Sequence, residues 1–200
     1  MQKTHLLAAL LFFGWACSNA SQETTDTASE SQTTVRAAID FQVAGDSISN
    51  ASQKAFVGAL MKAINERGTA SAVSFCNIHA LPIADSLSQH YNCTIQRISD
   101  RYRNPADKPD AEDSTVIAHY QAQKTTGAIL TARLSEQENK VIYYKPIMLG
   151  MPACLKCHGN PNTDIDISTL SAIRNKYPTD LATGYKQGDL RGVWKITFRK

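Results

Sequence analysis

Hydrophobic positions recur along this chain with two periods, a helical one in the first half and an alternating one in the second. From Asp46 to Arg67, Phe56, Leu60 and Ile64 repeat every fourth residue and Val57 and Met61 widen the stripe. This predicts an amphipathic helix that Asp46 or Ser49 caps and Gly68 ends. A second helical stretch, Thr69 to Ala80, sets Ala72, Cys76 and His79 on one face. It is expected to break at Leu81, because a residue before proline is pushed out of helical geometry, and Ile83, Leu87 and Tyr91 then carry a further helix. Thr94 to Ser99 reads as a strand that ends in the polar, proline-punctuated loop Asp100 to Asp110. Asp110, Glu112 and Asp113 place negative charge where a helix begins. Val116, Ile117 and Tyr120 give that helix its apolar face, and Gly127 closes it.

The second half predicts a sheet. Ile129 to Leu134 and Val141 to Met148 flank the polar turn Ser135 to Lys140, with Pro146 marking a bulge or an edge. Val193 to Phe198 alternates, with Trp194, Ile196 and Phe198 on the buried face. Ser168 to Asn175 reads as a short helix, and Tyr177 to Gly192 as a loop punctuated by Gly and Asp. Helices, strand, helix, hairpin, loop and strand in that order make an α+β domain with an antiparallel sheet.

Composition changes this picture at the front of the chain. Lys3 and His5 form a polar head, Leu6 to Trp15 an apolar run too short to span a membrane as a mature helix, and small residues follow, so residues 1–16 read as a signal peptide. Gly14-Trp15-Ala16-Cys17 resembles a lipoprotein cleavage site, which makes Cys17 a lipidated first residue. Ser18-Asn19-Ala20 is a competing site that would discard Cys17 and release a soluble periplasmic protein. Ser18 to Thr34 is almost wholly polar, and residues 17–40 are expected to be a lipidated, disordered tether ahead of one folded domain over residues 41–200. The net charge of +3 and the lack of a basic run among aromatics argue against a nucleic-acid partner.

The chemistry concentrates in Cys154-Leu155-Lys156-Cys157-His158-Gly159. Two thiols three residues apart, with a histidine directly after the second, are what covalent haem attachment needs: the cysteines add across two vinyl groups and the imidazole lies under the iron. One covalent haem c is the cofactor this implies. It also implies export to the periplasmic side of a bacterial envelope, which the signal peptide fits. A structural zinc site is an alternative, but Cys76 and Cys93 stand too far apart to form the second close pair. A thioredoxin-like redox pair is another; it calls for a strand before the motif and a helix opening at it, where Gly150-Met151-Pro152 and Gly159-Asn160-Pro161 suggest loop.

Iron bound by His158 has several potential sixth ligands: Cys76, Cys93, His79, His90, His119, Met148 and Met151. Met148 and Met151 are close enough in sequence to share the side of His158, while His90 and His119 read as surface or helix-end residues. On residue reasoning alone, Cys76 as ligand, a Cys76 to Cys93 disulfide, and His79 as ligand stand level. Arg97, Arg101 and Arg103 are candidates for pairing with haem propionates, or are simply solvated.

Ser74-Phe75-Cys76-Asn77 followed by Ala80, the Arg103-Asn104-Pro105 loop, Pro152 to Gly159, and the ending Gly184-Tyr185-Lys186-Gln187-Gly188-Asp189-Leu190-Arg191-Gly192 together resemble a family of single-haem c-type proteins with a PAS-like fold. Its members occur free, as lipoproteins or secreted proteins, and as sensor domains of bacterial histidine kinases. The resemblance spans roughly residues 46–200 and implies a haem held between His158 and an unusual cysteine ligand, Cys76. Two functions follow as expectations: an electron carrier with both axial sites filled, working with an unknown redox partner, or a haem-based redox or gas sensor acting on a signalling partner. The absence of a kinase segment after residue 200 favours the carrier. An enzyme is not expected, since no catalytic triad or carboxylate pair stands out and six-coordinate iron leaves no substrate position.

Overall fold

The protein is described by a computed structural model whose backbone is given from Thr24 to Lys200 and whose side chains are given from Asp40, those of Phe75, Cys76, Asn77 and His79 excepted. The signal peptide, its cleavage sites and Cys17 lie outside the described residues. Contacts divide the chain into residues 1–36 and 37–200. In the first unit the described residues are helical from Thr24, where composition suggests a disordered tether. The compositional argument concerns burial, whereas helix formation is also a matter of local propensity: the segment has no glycine or proline to interrupt it and contains Ala, Glu, Gln and Arg, all good helix formers.

Helix α1, Thr24–Tyr91, is broken at Gly68, whose φ of 78° and ψ of 169° are open to a residue without a Cβ. The expected stop is therefore there. The expected break at Leu81 is not: Pro82 lies inside the helix. Leu81 and Pro82 are exposed, as is Ile78, whose carbonyl loses its partner to the proline, so water can take up that group and the interruption is tolerated.

The sheet comprises β1 (Thr94–Ile98), β2 (Arg133–Gln137), β3 (Lys140–Met148) and β4 (Leu190–Arg199) in the order β1-β4-β3-β2, all antiparallel. The hairpin is tighter than expected. Gln137 pairs with Lys140, so the turn is Glu138-Asn139, and Ile129, read as strand, is 87% exposed. An apolar residue outside the alternation was mistaken for its beginning. Pro146 pairs with Val193 beyond the end of β2, where β3 has one neighbour and a missing N–H is harmless; the register shift comes one residue on, between Ile147 and Met148.

Each face of the sheet has its own helix. On one, α2 (Ala111–Thr125) packs Val116, Ile117 and Tyr120 against Ile98, Ile142, Tyr144 and Val193. On the other, α1 brings Phe41, Ile48, Phe56, Leu87 and Tyr91 onto Ile95, Tyr143, Trp194, Ile196 and Phe198. Full burial of each such side chain contributes about 1.5–3 kcal/mol. Gly45 permits the approach of α1, because a Cβ there would lie 2.3 Å from the Tyr143 ring. Since β4 is covered on both sides, Val193 and Lys195 are buried as well as Trp194, Ile196 and Phe198. The register sets the ends of β1 and β3 beside the start of β4, and the loops of the candidate site leave from this end.

Candidate functional site

After β3, Leu149 exchanges hydrogen bonds with Gly188 and Asp189 (2.8 and 2.9 Å), and Pro152 opens helix α3, Pro152–His158. The attachment motif thus sits on a short helix that follows a strand, not in a loop. Pro152 reads as loop punctuation but is well suited to the first helical position, where no N–H is needed. That removes one ground for setting aside a thiol redox pair; the histidine after the second cysteine is what still distinguishes this motif. Helical spacing puts Cys154 and Cys157 on one face. Among the described residues no group of three or more His, Cys, Asp or Glu could hold a metal ion, so no zinc cluster accompanies the motif there.

The last turn of α3 is fastened carbonyl by carbonyl. Gly159 N–H donates to Leu155 O at 2.8 Å, Arg103 to Cys157 O at 2.6 Å, Tyr185 N–H to His158 O at 2.9 Å and Gly184 N–H to Gly159 O at 2.7 Å. These satisfy acceptors that a helix end leaves open. The His158 ring is fixed too: Nδ1 lies 2.7 Å from the Ala182 carbonyl, which only accepts, so Nδ1 carries the proton and Nε2 keeps its lone pair. Burial, helped by the positive charges of Arg191 and Arg103, holds the imidazole pKa well below 6.5, so the ring is neutral at pH 7. A neutral imidazole anchored at Nδ1, with its lone pair on Nε2, is a ready metal ligand.

Arginines surround this ring. Arg103 forks onto Asp180 (3.0 and 3.2 Å) and also reaches the Ala182 carbonyl at 3.3 Å. Arg101 donates to the Leu181 and Thr183 carbonyls and lies 3.9 Å over the Tyr185 ring, whose centre is 6.2 Å from that of His158. Arg97 stacks on Phe56 at 4.6 Å and makes a long ion pair, 3.9 Å, with Asp107. Residue-by-residue reading named Arg97, Arg101 and Arg103 but missed Arg191, Asp180 and Tyr185. The ending Gly184 to Gly192 contained two of these, and only as a block of family likeness.

Other sequence candidates are placed as follows. Met148 ends β3 and Met151 caps α3; both are about two-fifths exposed, at 40% and 41%. His90 and His119 are exposed on helices. Cys93 has no disulfide and packs with the α1 face of the sheet, where burial raises its thiol pKa, so the disulfide alternative is not formed. The side chains of Cys76 and His79 are outside the described residues. Their backbone belongs to the part of α1 after Gly68, in which Val73, one turn before Cys76, packs with Ile165, Ile173, Tyr177 and Cys157. One turn after Cys76, Ala80 lines a cavity of about 470 Å³ that Ala84, Ile95 and Arg97 also border. The helix segment bearing Cys76 therefore reaches the cluster that holds α3. Two solvent-sealed polar atoms near the His158 ring, on residues that do not line that cavity, have no hydrogen-bond partner: the Arg191 Nε and the Tyr185 hydroxyl. Paired thiols, an imidazole held by its Nδ1 with the lone pair on Nε2, and unsatisfied buried donors close to that ring suit a haem.

Fold and site define a PAS-like domain with a Cys-x-x-Cys-His helix at one end of its sheet. The chain belongs to the Tll0287-like family, whose model matches residues 17–199. Among solved structures it is similar to that of the cyanobacterial haem protein Tll0287, with 25% identity and a TM-score of 0.51 over 74% of this chain and 94% of that one. No curated protein matches it.

Proposed function

We propose that this chain is an exported haem protein that carries electrons through one covalently attached haem. Cys154 and Cys157 bind the vinyl groups, His158 Nε2 and Cys76 are the axial ligands, and Cys17 carries a lipid that tethers the domain on the periplasmic side of a bacterial envelope. Membership of the Tll0287-like family, one of whose relatives is a haem protein, supports the cofactor. The observation that carries the reading is the His158 ring directly after the paired thiols, neutral and with its Nδ1 held by the Ala182 carbonyl, so that Nε2 is the nitrogen with the lone pair. Bound there, haem supplies a one-electron ferric/ferrous couple. The chain's part is to hold the ligand geometry constant across that change, and four fastened carbonyls around His158 do this on its side. With both axial positions filled by the protein, no position is left for a substrate, and the chain is no enzyme. Its partner is a redox protein, not a nucleic acid.

A second reading, a haem-based redox or gas sensor, is favoured by α1. The helix segment that bears Cys76 starts at the Gly68 break and has Pro82 within it, so its hydrogen-bond ladder is interrupted on both sides of the ligand. Such a segment shifts more easily than the clamped α3. Absorption spectra of the purified protein, oxidised, reduced, and reduced under carbon monoxide, decide between them. Bands unchanged by carbon monoxide fit the carrier, and rapid binding fits the sensor. A protein without haem bands overturns both.

A further inference from the structure

The four arginines at the His158 end divide by what their guanidinium groups touch. Arg101 and Arg103 hold the loop of residues 180–183 through its carbonyls and Asp180. Arg191 and Arg97 are left differently. Nη1 of Arg191 reaches the Arg101 carbonyl at 3.3 Å, but its Nε is sealed from solvent with no partner. The Tyr185 hydroxyl is in the same condition, and its ring centre is 5.6 Å from the Arg191 guanidinium. Arg97 borders the cavity and, among the described residues, has the long contact to Asp107 as its ion pair. Arg191 also feels the repulsion of Arg97 and Arg103, with Asp107 as the attractive carboxylate among them. Cations brought together with sealed donors unmet are costly unless an anion joins them.

We propose that Arg191, with the Tyr185 hydroxyl and Arg97, is the seat of a haem propionate carboxylate. This rests on the haem reading above and adds to it a residue that acts on the iron's charge. The four guanidinium groups face two paired carboxylates, Asp107 and Asp180, and the two propionates of a haem would balance the difference. Arg191 is a positioning residue. It fixes the carboxylate edge of the macrocycle and keeps a positive charge near the iron, which favours the reduced state.

The test uses the full chain matured with haem, in the variants Arg191→Gln, Arg191→Lys, Arg97→Gln and Arg101→Gln. Arg191→Gln is expected to shift the reduction equilibrium about tenfold towards the ferric state. That is a fall of about 59 mV for a one-electron couple. It should also move the propionate bending band in resonance Raman spectra while leaving the axial-ligand bands in place. Arg97→Gln should act in the same direction by less. Arg191→Lys should restore most of the potential but not the band, because the charge returns without the fork. Arg101→Gln, a change in the loop clamp, should lower the melting temperature and leave the propionate band in place, while its lost charge lowers the potential by less than Arg191→Gln does. Attached haem with potential and propionate band unaltered in Arg191→Gln and Arg97→Gln would overturn the seat and leave the haem reading standing. A wild-type chain that acquires no covalent haem would overturn the reading beneath it as well.

Discussion

Two charged clusters are built into this domain, and they are finished to different degrees. Under α2, Lys195 Nζ lies 2.8 Å from a carboxylate oxygen of Asp113 and 3.5 Å from Asp110, while the Tyr144 hydroxyl donates to Asp113 at 3.0 Å and the Tyr120 hydroxyl to the Thr131 carbonyl at 3.0 Å. Every polar group named has its partner, and apolar residues seal the surroundings. At the other cluster, around His158, guanidinium groups outnumber the carboxylates paired with them, and two buried donors have no partner. A network that closes on itself stabilises one structure; a network left open in the fold is waiting for a group from outside. The difference separates the residues that make this domain from those that make it useful.

The sharpest way to break the open side alone is to remove the attachment thiols. Replacing both Cys154 and Cys157 by Ala should abolish covalent haem, seen as loss of haem staining after denaturing electrophoresis, while far-UV circular dichroism keeps the signal of the sheet and α2. Haem retained by the denatured double variant would mean that attachment lies elsewhere. Breaking the closed side should do the reverse. Asp113→Ala leaves buried Lys195 with the longer contact to exposed Asp110 alone and the Tyr144 hydroxyl without its acceptor, at a cost of about 3–5 kcal/mol. Urea unfolding should show the loss, and the haem bands of the folded fraction should stay as they were. Intact stability would show that the buried Lys195 pair contributes little to the fold and would remove the contrast.

Next in size is the ligand on α1. A thiolate pushes electron density onto the metal and stabilises the ferric state. Cys76→Met should therefore raise the reduction potential clearly, Cys76→Ala should admit added imidazole to the iron, and Cys93→Ala, in the sheet-face cluster, should do neither. Redox titration and difference spectra measure all three. If Cys76→Ala leaves the ferric spectrum unchanged and His79→Ala alters it, then His79 is the ligand and the family resemblance misassigns the sixth position.

What could be read from the sequence follows how local each feature is. Cys154, Cys157 and His158 adjoin one another, so their chemistry is visible before any folding. The α2 helix was legible because its cap Asp110, its apolar face and Gly127 just past its end all fall within one short stretch of sequence. Arg103 was not: whether an arginine meets a propionate or an aspartate depends here on Asp180, 77 residues away. Likewise Ala182, an alanine on a loop, orients His158 through a carbonyl, a group that every residue carries and no motif can announce. Pro82 misled because a local rule about helix breaking was applied without knowing that the freed carbonyl faces water. Of the four arginines, Arg191 was singled out by no local signal: it fell within the expected loop Tyr177 to Gly192 and the block of family likeness, and the structure makes it the second residue of β4.

The smallest expected effect tests the contrast through acid. Asp110 accepts the Asp113 N–H as the cap of α2 and lies near Lys195, and these hold its pKa below the ordinary 3.8 against some burial. A carboxylate lowered in the fold contributes stability that is complete above 3.8 and is lost as pH falls through the lowered value. Asp107, on the open side, runs the other way. Burial raises its pKa above 3.8 in spite of Arg97 and Arg191, so the fold favours its protonated form. Its contribution is therefore present below 3.8 and lost as pH rises through the raised value. Stability measured by urea unfolding from about pH 6 to about pH 2 should then respond oppositely to two like substitutions. Asp110→Asn should make the acid loss shallower, by up to about 1 kcal/mol because the side chain is largely exposed and its cap is of that size. Asp107→Asn should make the acid loss steeper, because the group that gained on acidification is gone. Parallel shifts in the two variants would show that both carboxylates sit in equivalent, satisfied surroundings, and the distinction between a closed and an open cluster would not survive that result.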